Sequence, residues 1–376
     1  MSTTPIHGAV FRGPRQPLVA QELRLDPPGP GEVRVRMAAT GVCHSDLHVV
    51  DGEWVRPTEV ILGHEGAGVI ELLGDGVLER SPSVAPGAGP GWRIGDLVVL
   101  AWTAPCAACT ACRRGEDWLC AAPHGGGHRL AADAVRVRRP DGSPVGVYSG
   151  VGTHSTGQVV AAEAAIPVDP RTPPDVAALI GCAAMTGVGA VRATAGVRAG
   201  DTVVVIGLGG VGLAALMAAV DAGATVIGID REPAKLALAT ELGAAHALEP
   251  GATAEVIRLT GGGADHAFEC IGLVATAEAA VDLVRPGGAV TLVGMTPQGA
   301  RARIDVYRFV EDGKRLLGSN YGSAVPARDF PTIAADVVSG RLPLGRLVTE
   351  RIGLGDLDAA LDAMRRRDGA RRVVVF

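Results

Sequence analysis

The stretch Thr202–Gly212, TVVVIGLGGVG, decides the fold of this chain. Its apolar first half predicts a β-strand, and the alanine-rich segment Val211–Ala222 predicts an α-helix. Between them, GLGGVG fits the pattern G-x-G-x-x-G. Glycines in this pattern permit a tight turn and let backbone N–H groups approach a pyrophosphate at the positive end of the helix. The predicted cofactor-binding residues of this turn are Gly207, Gly209, Gly210, Val211 and Gly212.

The residues around this stretch repeat the same alternation of strand and helix. Further apolar strands are predicted at Thr225–Ile229, Ala267–Cys270 and Ala289–Val293, and further helices at Pro233–Leu242 and Ala275–Val284. Strands that alternate with helices imply a parallel, doubly wound sheet.

Asp230 ends the next strand, eighteen residues beyond Gly212. A carboxylate at this place accepts hydrogen bonds from the adenosine ribose and repels a 2′-phosphate, which predicts NAD as cofactor. Arg231 favours NADP instead, because a guanidinium beside the ribose accommodates that phosphate. The plain alternative is an ordinary βα turn followed by a solvated aspartate, and the complete βαβ context argues against it.

Composition and charge exclude several classes of protein. At 376 residues the chain is long enough for two domains, and its net charge of −5 is spread without runs. We therefore expect no nucleic-acid or membrane partner. No secretory signal is visible, and the uncharged stretch Val203–Val220 is too rich in glycine for a membrane helix, so a cytoplasmic location is expected.

Four of the seven cysteines lie within fifteen residues: Cys106, Cys109, Cys112 and Cys120. Four thiolates satisfy a tetrahedral Zn²⁺ and leave no open position, which predicts a structural zinc site. One chemical rival is a 4Fe–4S cluster, whose cysteines usually have another spacing and a following proline. Disulfides are the other rival, and a reducing compartment disfavours them.

A second set of metal-ligating residue types is dispersed along the chain. Cys43 lies in GVCHSD, His64 in GHE and Cys182 in GC. Each alone is typical of a buried or loop residue, but together, beside a dinucleotide fold, they predict a second zinc site. One histidine and two thiolates leave a fourth tetrahedral position open for chemistry. A non-catalytic zinc module, which binds protein or nucleic acid through the four-cysteine lobe, would not need these residues and predicts a basic face.

With these motifs the sequence resembles the zinc-containing alcohol dehydrogenases of the medium-chain dehydrogenase/reductase superfamily, from Val33 to Phe376. The resemblance implies an α/β protein. A GroES-like, β-rich catalytic domain would cover residues 1–182, with the structural-zinc lobe at 101–122. A Rossmann NAD-binding domain would cover residues 183–320, and residues 321–376 would return to the catalytic domain. The short β-like segments Val33–Met37 and Val69–Leu73 agree with a small barrel or sandwich in the first third.

The resemblance also implies roles for individual residues. Asp46 would orient His64, and Glu65 would be the acid beside the metal. Ser45 would bond the substrate oxygen, and His48 would end its proton relay. Further contacts with the nucleotide are implied for His44, Lys235, Val293 and Arg371. The implied substrate-pocket residues are Trp54, Trp102, Tyr148, Met295 and Asn320.

The implied reaction is the reversible, NAD-linked oxidation of a primary alcohol by a chain that binds two zinc ions. Large aromatic walls favour an aryl or allylic alcohol, unless these aromatic residues belong to the core. The alternative in the same family is a thiol-adduct (S-hydroxymethyl) formaldehyde dehydrogenase, which needs basic groups for the carboxylates of its carrier. His124 stands where the glutathione branch would have an arginine. A zinc-free quinone reductase of the superfamily would lack the ligand set.

Two stretches depart from the family pattern. Ser81–Gly91, SPSVAPGAGPG, is an insertion, and Gly152–Gln158, GTHSTGQ, lacks the aromatic residues often found there. The length of chain between Cys120 and Cys182 is similar to that of the dimeric branch of the family, which implies a homodimer. We expect the strand Ala289–Val293 to pair with its two-fold mate at the sheet edge.

Overall fold

The computed structural model describes residues 3–78, 91–121 and 135–376. The chain divides into two compact units. The first consists of Met1–Cys182, Val325–Gly340 and Leu344–Phe376, and the second of Ala183–Ala324 and Arg341–Pro343. The insertion at Ser81–Gly91, apart from its last residue, and His124 lie outside the described residues.

The strands of the described residues are two to ten residues long. They are β1 (Thr4–Phe11), β2 (Val19–Leu25), β3 (Glu32–Gly41), β4 (Val60–Ile61), β5 (Glu65–Leu73), β6 (Leu97–Leu100), β7 (Val137–Arg138), β8 (Pro144–Val147), β9 (Gly157–Ala161), β10 (Ala165–Pro167), β11 (Thr202–Ile206), β12 (Thr225–Ile229), β13 (His246–Leu248), β14 (Ala264–Glu269), β15 (Val284–Leu292), β16 (Arg315–Gly318), β17 (Val348–Ile352) and β18 (Arg371–Val375).

The helices lie mainly in the second half of the chain. They are α1 (His44–Val50), α2 (Thr110–Arg113), α3 (Pro174–Leu179), α4 (Met185–Gly189), α5 (Gly210–Asp221), α6 (Pro233–Glu241), α7 (Thr253–Thr260), α8 (Val274–Leu283), α9 (Val306–Glu311), α10 (Pro326–Val338) and α11 (Leu357–Arg365).

The first unit is built from a closed barrel and an open sheet. The barrel has the strand order β1-β2-β7-β8-β4, and the sheet has the order β10-β6-β5-β3-β18-β17, with β9 also paired to β3. Along β3, Val33, Val35 and Met37 are buried, while Arg34 and Arg36 between them pair with Glu71. This alternation follows from the two-residue period of a strand, which turns every second side chain into the core. The predicted β-rich, GroES-like fold is confirmed.

The second unit contains a six-stranded sheet in the order β13-β12-β11-β14-β15-β16, with every neighbouring pair parallel. In chain order this is 3-2-1-4-5-6, the order of a Rossmann fold. The run Val203–Ile206 is buried throughout, because helices cover both faces of a parallel sheet. The predicted doubly wound sheet is confirmed, and two predicted strands, Thr202–Ile206 and Thr225–Ile229, have the observed bounds.

The expected position of Ala289–Val293 at the sheet edge is wrong. All of them except Val293 belong to β15, which lies between β14 and β16. The edge strand on this side of the sheet is β16, whose four residues, RLLG, are too few to give a period-2 signal in the sequence. The apolar character of β15 reflects burial inside the sheet and not a surface that pairs with a second chain.

One helical segment, Pro174–Ala195, is long and apolar enough to cross a membrane by length and composition alone. However, 78% of its most apolar window is buried inside the protein, as expected for a core helix. The segment runs through α3, a wider, π-type turn at Ile180–Ala184, α4 and a second π-type stretch at Ala190–Ala195. The stretch Val203–Val220 forms a strand, a turn and a helix, as predicted.

Candidate active site

The short helix α1 begins directly after Cys43, and its first turn carries Asp46. The Asp46 carboxylate is fully buried and accepts hydrogen bonds from the backbone N–H of Cys43 (3.2 Å) and of Gly63 (3.1 Å). It also lies 3.3 Å from Nδ1 of His64. Burial raises the pKa of Asp46, but the charge and hydrogen bond of His64 outweigh that effect and lower it. One carboxylate therefore holds two candidate ligand segments together.

Cys43, His64 and Cys182 come together although they are far apart in the sequence. Their ligand atoms and a Glu65 carboxylate oxygen all lie within 4.8 Å of one another. Cys182 reaches this place from the π-type turn at Ile180–Ala184, a kind of helix irregularity that is frequent at functional sites. A hydrogen bond from Cys182, and then the charge of Arg371, lower the pKa of the Cys43 thiol against the effect of burial. Two thiols and an imidazole suit zinc, so the residues fit the predicted metal.

Glu65 lies beside the other side chains of this cluster and forms an ion pair with Arg371 at 3.1 Å, both side chains being buried. Burial raises the pKa of Glu65 to about 8, in opposition to the charge of Arg371. Gly41 pairs with Glu65 across β3 and β5, and a Cβ at residue 41 would overlap the carboxylate. Arg371 also donates to the carbonyl of Val42 (2.9 Å). The structure thus places Arg371 against the candidate zinc ligands of the first unit.

The four cysteines of the predicted structural site also converge. The sulfur atoms of Cys106, Cys109, Cys112 and Cys120 lie within 4.8 Å of one another. The backbone N–H of Cys109 donates to the Cys106 sulfur (3.3 Å), and that of Cys106 donates to the Cys120 sulfur (3.4 Å). Backbone donors lower the pKa of the Cys109 thiol to about 6. Such donors stabilise thiolates, and four thiolates leave no open position, so these residues fit a structural zinc.

Two of the predicted pocket aromatics lie next to site residues of the first unit. The Tyr148 ring meets the His64 ring edge-on, with 5.7 Å between centroids. The Trp54 ring stacks on His48 at 4.7 Å. Trp102 instead packs against the core cluster that contains Trp92 and Leu100. Met295 and Asn320 belong to the second unit, where both are exposed.

The glycine-rich turn of the second unit has the geometry expected of a dinucleotide site. Gly207 has φ +91°, which favours glycine, and α5 begins at Gly210. Asp230 follows β12, and its carboxylate accepts from the backbone N–H of Leu208 at 2.7 Å, within the turn. Arg231 pairs with Glu232 at 3.3 Å. Lys235 lies on α6, and Val293, directly after β15, is buried.

Sequence reasoning missed three residues near the site: Glu53, Arg56 and His154. Glu53 contacts His48, and Arg56 lies 5.8 Å from the centroid of the Trp54 ring. His154 is fully buried, and its backbone N–H donates to the carbonyl of Leu62 (2.9 Å), two residues before the candidate ligand His64. Burial lowers the pKa of His154. The stretch GTHSTGQ, which departs from the family pattern, was the one available signal for His154.

The two groups of metal-ligating side chains and the Rossmann sheet together define a zinc-dependent dehydrogenase. Residues 29–170 match the family described as alcohol dehydrogenase GroES-like domain, and residues 210–339 match the family described as zinc-binding dehydrogenase. The chain is 33% identical, over 98% of its length and 99% of the relative, to an S-(hydroxymethyl)glutathione dehydrogenase of Photobacterium damsela subsp. piscicida.

Solved structures agree with these matches. An alcohol dehydrogenase zinc-binding domain protein from Burkholderia ambifaria is 32% identical, with a TM-score of 0.90 over 100% of both chains. Benzyl alcohol dehydrogenase from Acinetobacter calcoaceticus is 27% identical, with a TM-score of 0.89 over 99% of both.

The chain belongs to the zinc-containing alcohol dehydrogenase family of the medium-chain dehydrogenase/reductase superfamily. It is an oxidoreductase that acts on CH–OH groups, and its cofactors are zinc and a nicotinamide dinucleotide. The alternative that the chain is a non-catalytic zinc module is therefore rejected.

Proposed function

We propose that this enzyme catalyses the reversible, NAD-linked oxidation of an aryl or allylic primary alcohol to the aldehyde. The observation that carries the proposal is the Tyr148 ring, which lies edge-on to the ring of the candidate ligand His64. An aromatic wall beside the metal favours flat apolar substrates over small ones. The fold similarity to a benzyl alcohol dehydrogenase supports the same substrate class.

The chain's own residues supply binding and proton transfer. Cys43, His64 and Cys182 would hold zinc, which supplies a Lewis acid that lowers the pKa of a bound alcohol. Ser45, half-buried in the first turn of α1, would accept the proton of the hydroxyl group. His48, one turn further along α1, would pass the proton to solvent.

NAD is the proposed cofactor because of Asp230. Its carboxylate is held by the N–H groups of Leu208 (2.7 Å) and Glu232 (3.0 Å), so it stays beside the glycine-rich turn. A fixed negative charge there repels the 2′-phosphate of NADP. Arg231, which could have attracted that phosphate, pairs with Glu232 instead. We expect kcat/KM to be higher with NAD than with NADP.

A substrate comparison tests the proposal. The enzyme's kcat/KM for benzyl alcohol should exceed that for ethanol by roughly tenfold to a hundredfold, since burial of apolar surface contributes about 25 cal/mol per Å². Tyr148→Leu should lower the value for benzyl alcohol and leave ethanol nearly unchanged. Tyr148→Phe keeps the ring and is the matched control, which should retain the preference. An equal or higher kcat/KM for ethanol in the wild type would overturn the assignment.

A second candidate substrate is a thiol adduct of formaldehyde, and Arg56 is the observation that favours it. Burial raises the pKa of Tyr148, and the charge of His64 and a hydrogen bond from Arg56 oppose that rise. A guanidinium therefore lies next to the Tyr148 ring, where it could bind a carboxylate of a thiol carrier. The bacterial relatives named S-(hydroxymethyl)glutathione dehydrogenase are consistent with this substrate.

S-(hydroxymethyl)glutathione, added to the same substrate panel, separates the two candidates. If it is the better substrate, Arg56→Gln should lower its kcat/KM about tenfold and leave benzyl alcohol unchanged, because only the adduct carries carboxylates. Arg139→Gln, which removes an arginine that pairs with Glu59, is the control. A high kcat/KM for benzyl alcohol with little activity on the adduct supports the first candidate.

A further inference from the structure

The imidazole of His48 is held by the loop that follows its own helix. Nδ1 of His48 lies 2.5 Å from a carboxylate oxygen of Glu53. The backbone N–H groups of Glu53 (2.9 Å) and Trp54 (3.1 Å) both donate to the carbonyl of His48, so the loop folds back over the ring. Trp54 then stacks on one face of the imidazole, and His44 meets it edge-on at 5.3 Å.

We propose that Glu53 is a positioning residue of the proton relay, acting through His48. A neutral imidazole has one N–H and one unprotonated nitrogen. A carboxylate that accepts a hydrogen bond from one nitrogen keeps the proton on that nitrogen and leaves the other one unprotonated. With Nδ1–H donated to Glu53, Nε2 is the nitrogen left to receive the proton. This inference rests on the proposed oxidation of an alcohol through Ser45 and His48.

The proton balance of the step is simple. Oxidation of one alcohol sends a hydride to NAD and one proton through Ser45 to Nε2 of His48. The imidazolium formed then carries a proton on both nitrogens. It gives the Nε2 proton to water and returns to the starting tautomer. The Glu53 carboxylate accepts the hydrogen bond from Nδ1–H throughout and orients the ring, as the carboxylate does in a Ser-His-Asp triad.

The exposure of the two side chains fits the outer end of a relay. The His48 side chain is 22% exposed and that of Glu53 is 50% exposed, so water can reach the imidazole. Water also screens the charge of Glu53, so its effect should come mainly from orientation. General acid–base groups contribute roughly 10²- to 10⁴-fold to rates, and we expect Glu53 to account for about tenfold of this.

Four variants test the role of Glu53: Glu53→Gln, Asp51→Asn, His48→Gln and the double variant His48→Gln/Glu53→Gln. Asp51 lies on the same loop and pairs with Arg365, so its variant is the matched control for damage to the loop. The measurements are the first-turnover rate of NADH formation, kcat, the KM for benzyl alcohol and the melting temperature.

Glu53→Gln should lower the first-turnover rate about tenfold with KM nearly unchanged, and Asp51→Asn should leave both unchanged. In the His48→Gln background, Glu53→Gln should cause no further loss, because the carboxylate acts only through the imidazole. The proposal is overturned if Glu53→Gln has the wild-type first-turnover rate, or if Asp51→Asn lowers that rate as much as Glu53→Gln does. It is also overturned if the double variant shows the product of the rate losses of His48→Gln and Glu53→Gln. A wild type that oxidises none of the alcohols in the panel overturns the proposed function, and the relay with it.

Discussion

At the scale of single residues, Asp46 connects three parts of the candidate site. It joins the N-terminus of α1 to the loop before β5 by accepting from Cys43 and Gly63, and it fixes the ring of His64 through Nδ1. A ligating histidine whose second nitrogen bonds a carboxylate keeps one tautomer and one orientation. The arrangement of the candidate zinc ligands therefore depends on a buried negative charge.

We expect Asp46→Asn to weaken the catalytic zinc site and leave the structural one intact. Asparagine has the same shape, but it has one uncharged oxygen and an NH2 group in place of the two carboxylate oxygens that accept from three donors. The variant should therefore lose about 10- to 100-fold in zinc affinity or activity. Metal analysis should give two zinc ions per wild-type chain and close to one in the dialysed variant. Asp175→Asn, which removes another buried carboxylate paired with Arg351, is the control and should retain two. Equal zinc content and activity in Asp46→Asn would contradict this role.

Sequence reasoning found the site residues that can be recognised by their type, and it missed those that belong to the site only because of where the folded chain places them. Cys43, His64 and Cys182 are recognisable because few side chains ligate zinc, and their types alone restrict the choice. Glu53 and Arg56 are ordinary surface residue types. Their place beside the site follows from the backbone bonds that fold the loop onto α1, which the sequence does not reveal.

At the scale of elements, the turn between β11 and α5 shows two different uses of glycine. A Cβ on Gly212 would overlap the carbonyl of Gly207, so glycine is needed there for helix and strand to pack. Gly209 has φ −79°, and a Cβ on it would meet nothing within 4 Å. The protein's own fold does not require glycine at 209. A ligand that approaches the backbone would require it.

The two glycines should therefore respond differently to substitution by alanine. Gly209→Ala should keep the melting temperature within about 1–2 °C of the wild type but weaken NADH binding by tenfold or more, because the methyl group would occupy the space of the pyrophosphate. Gly212→Ala should lower the melting temperature clearly, since helix and strand must separate. Thermal unfolding and NADH fluorescence titration measure the two effects. Unchanged NADH affinity in Gly209→Ala would argue against a pyrophosphate at this turn.

The elements of the second unit were predictable because apolar strands alternate there with alanine-rich helices, and glycines mark the turns between them. The predicted helix Pro233–Leu242 is observed as Pro233–Glu241, and the predicted helix Ala275–Val284 is observed as Val274–Leu283. The segment Pro174–Ala195 was not predicted. Its side chains are buried almost all round, so it lacks the polar face from which an amphipathic helix is recognised. Its π-type turn also shifts the period.

At the scale of the whole molecule, the corrected strand order changes where a second chain would bind. The strand β16 has a partner on one side only among the described residues, so its other edge presents unpaired backbone groups. The neighbouring helix α9 and β16 also carry exposed apolar side chains: Val306, Tyr307, Val310 and Leu316. An unpaired edge with apolar residues beside it is typical of a surface that another chain covers.

We expect a homodimer in which β16 and α9 of each chain meet their two-fold mates, an isologous contact of the kind that most dimers use. Val310, 72% exposed on α9, would be buried there, so Val310→Glu should place a charge in an apolar interface and shift the protein toward monomers. Val55→Glu is the matched control, because Val55 is 88% exposed and lies in the first unit. Light scattering over a range of concentrations should show two chains for the wild type and for Val55→Glu, and one chain for dilute Val310→Glu. A monomeric wild type, or a Val310→Glu variant that stays dimeric at all concentrations, would rule out this surface as the interface.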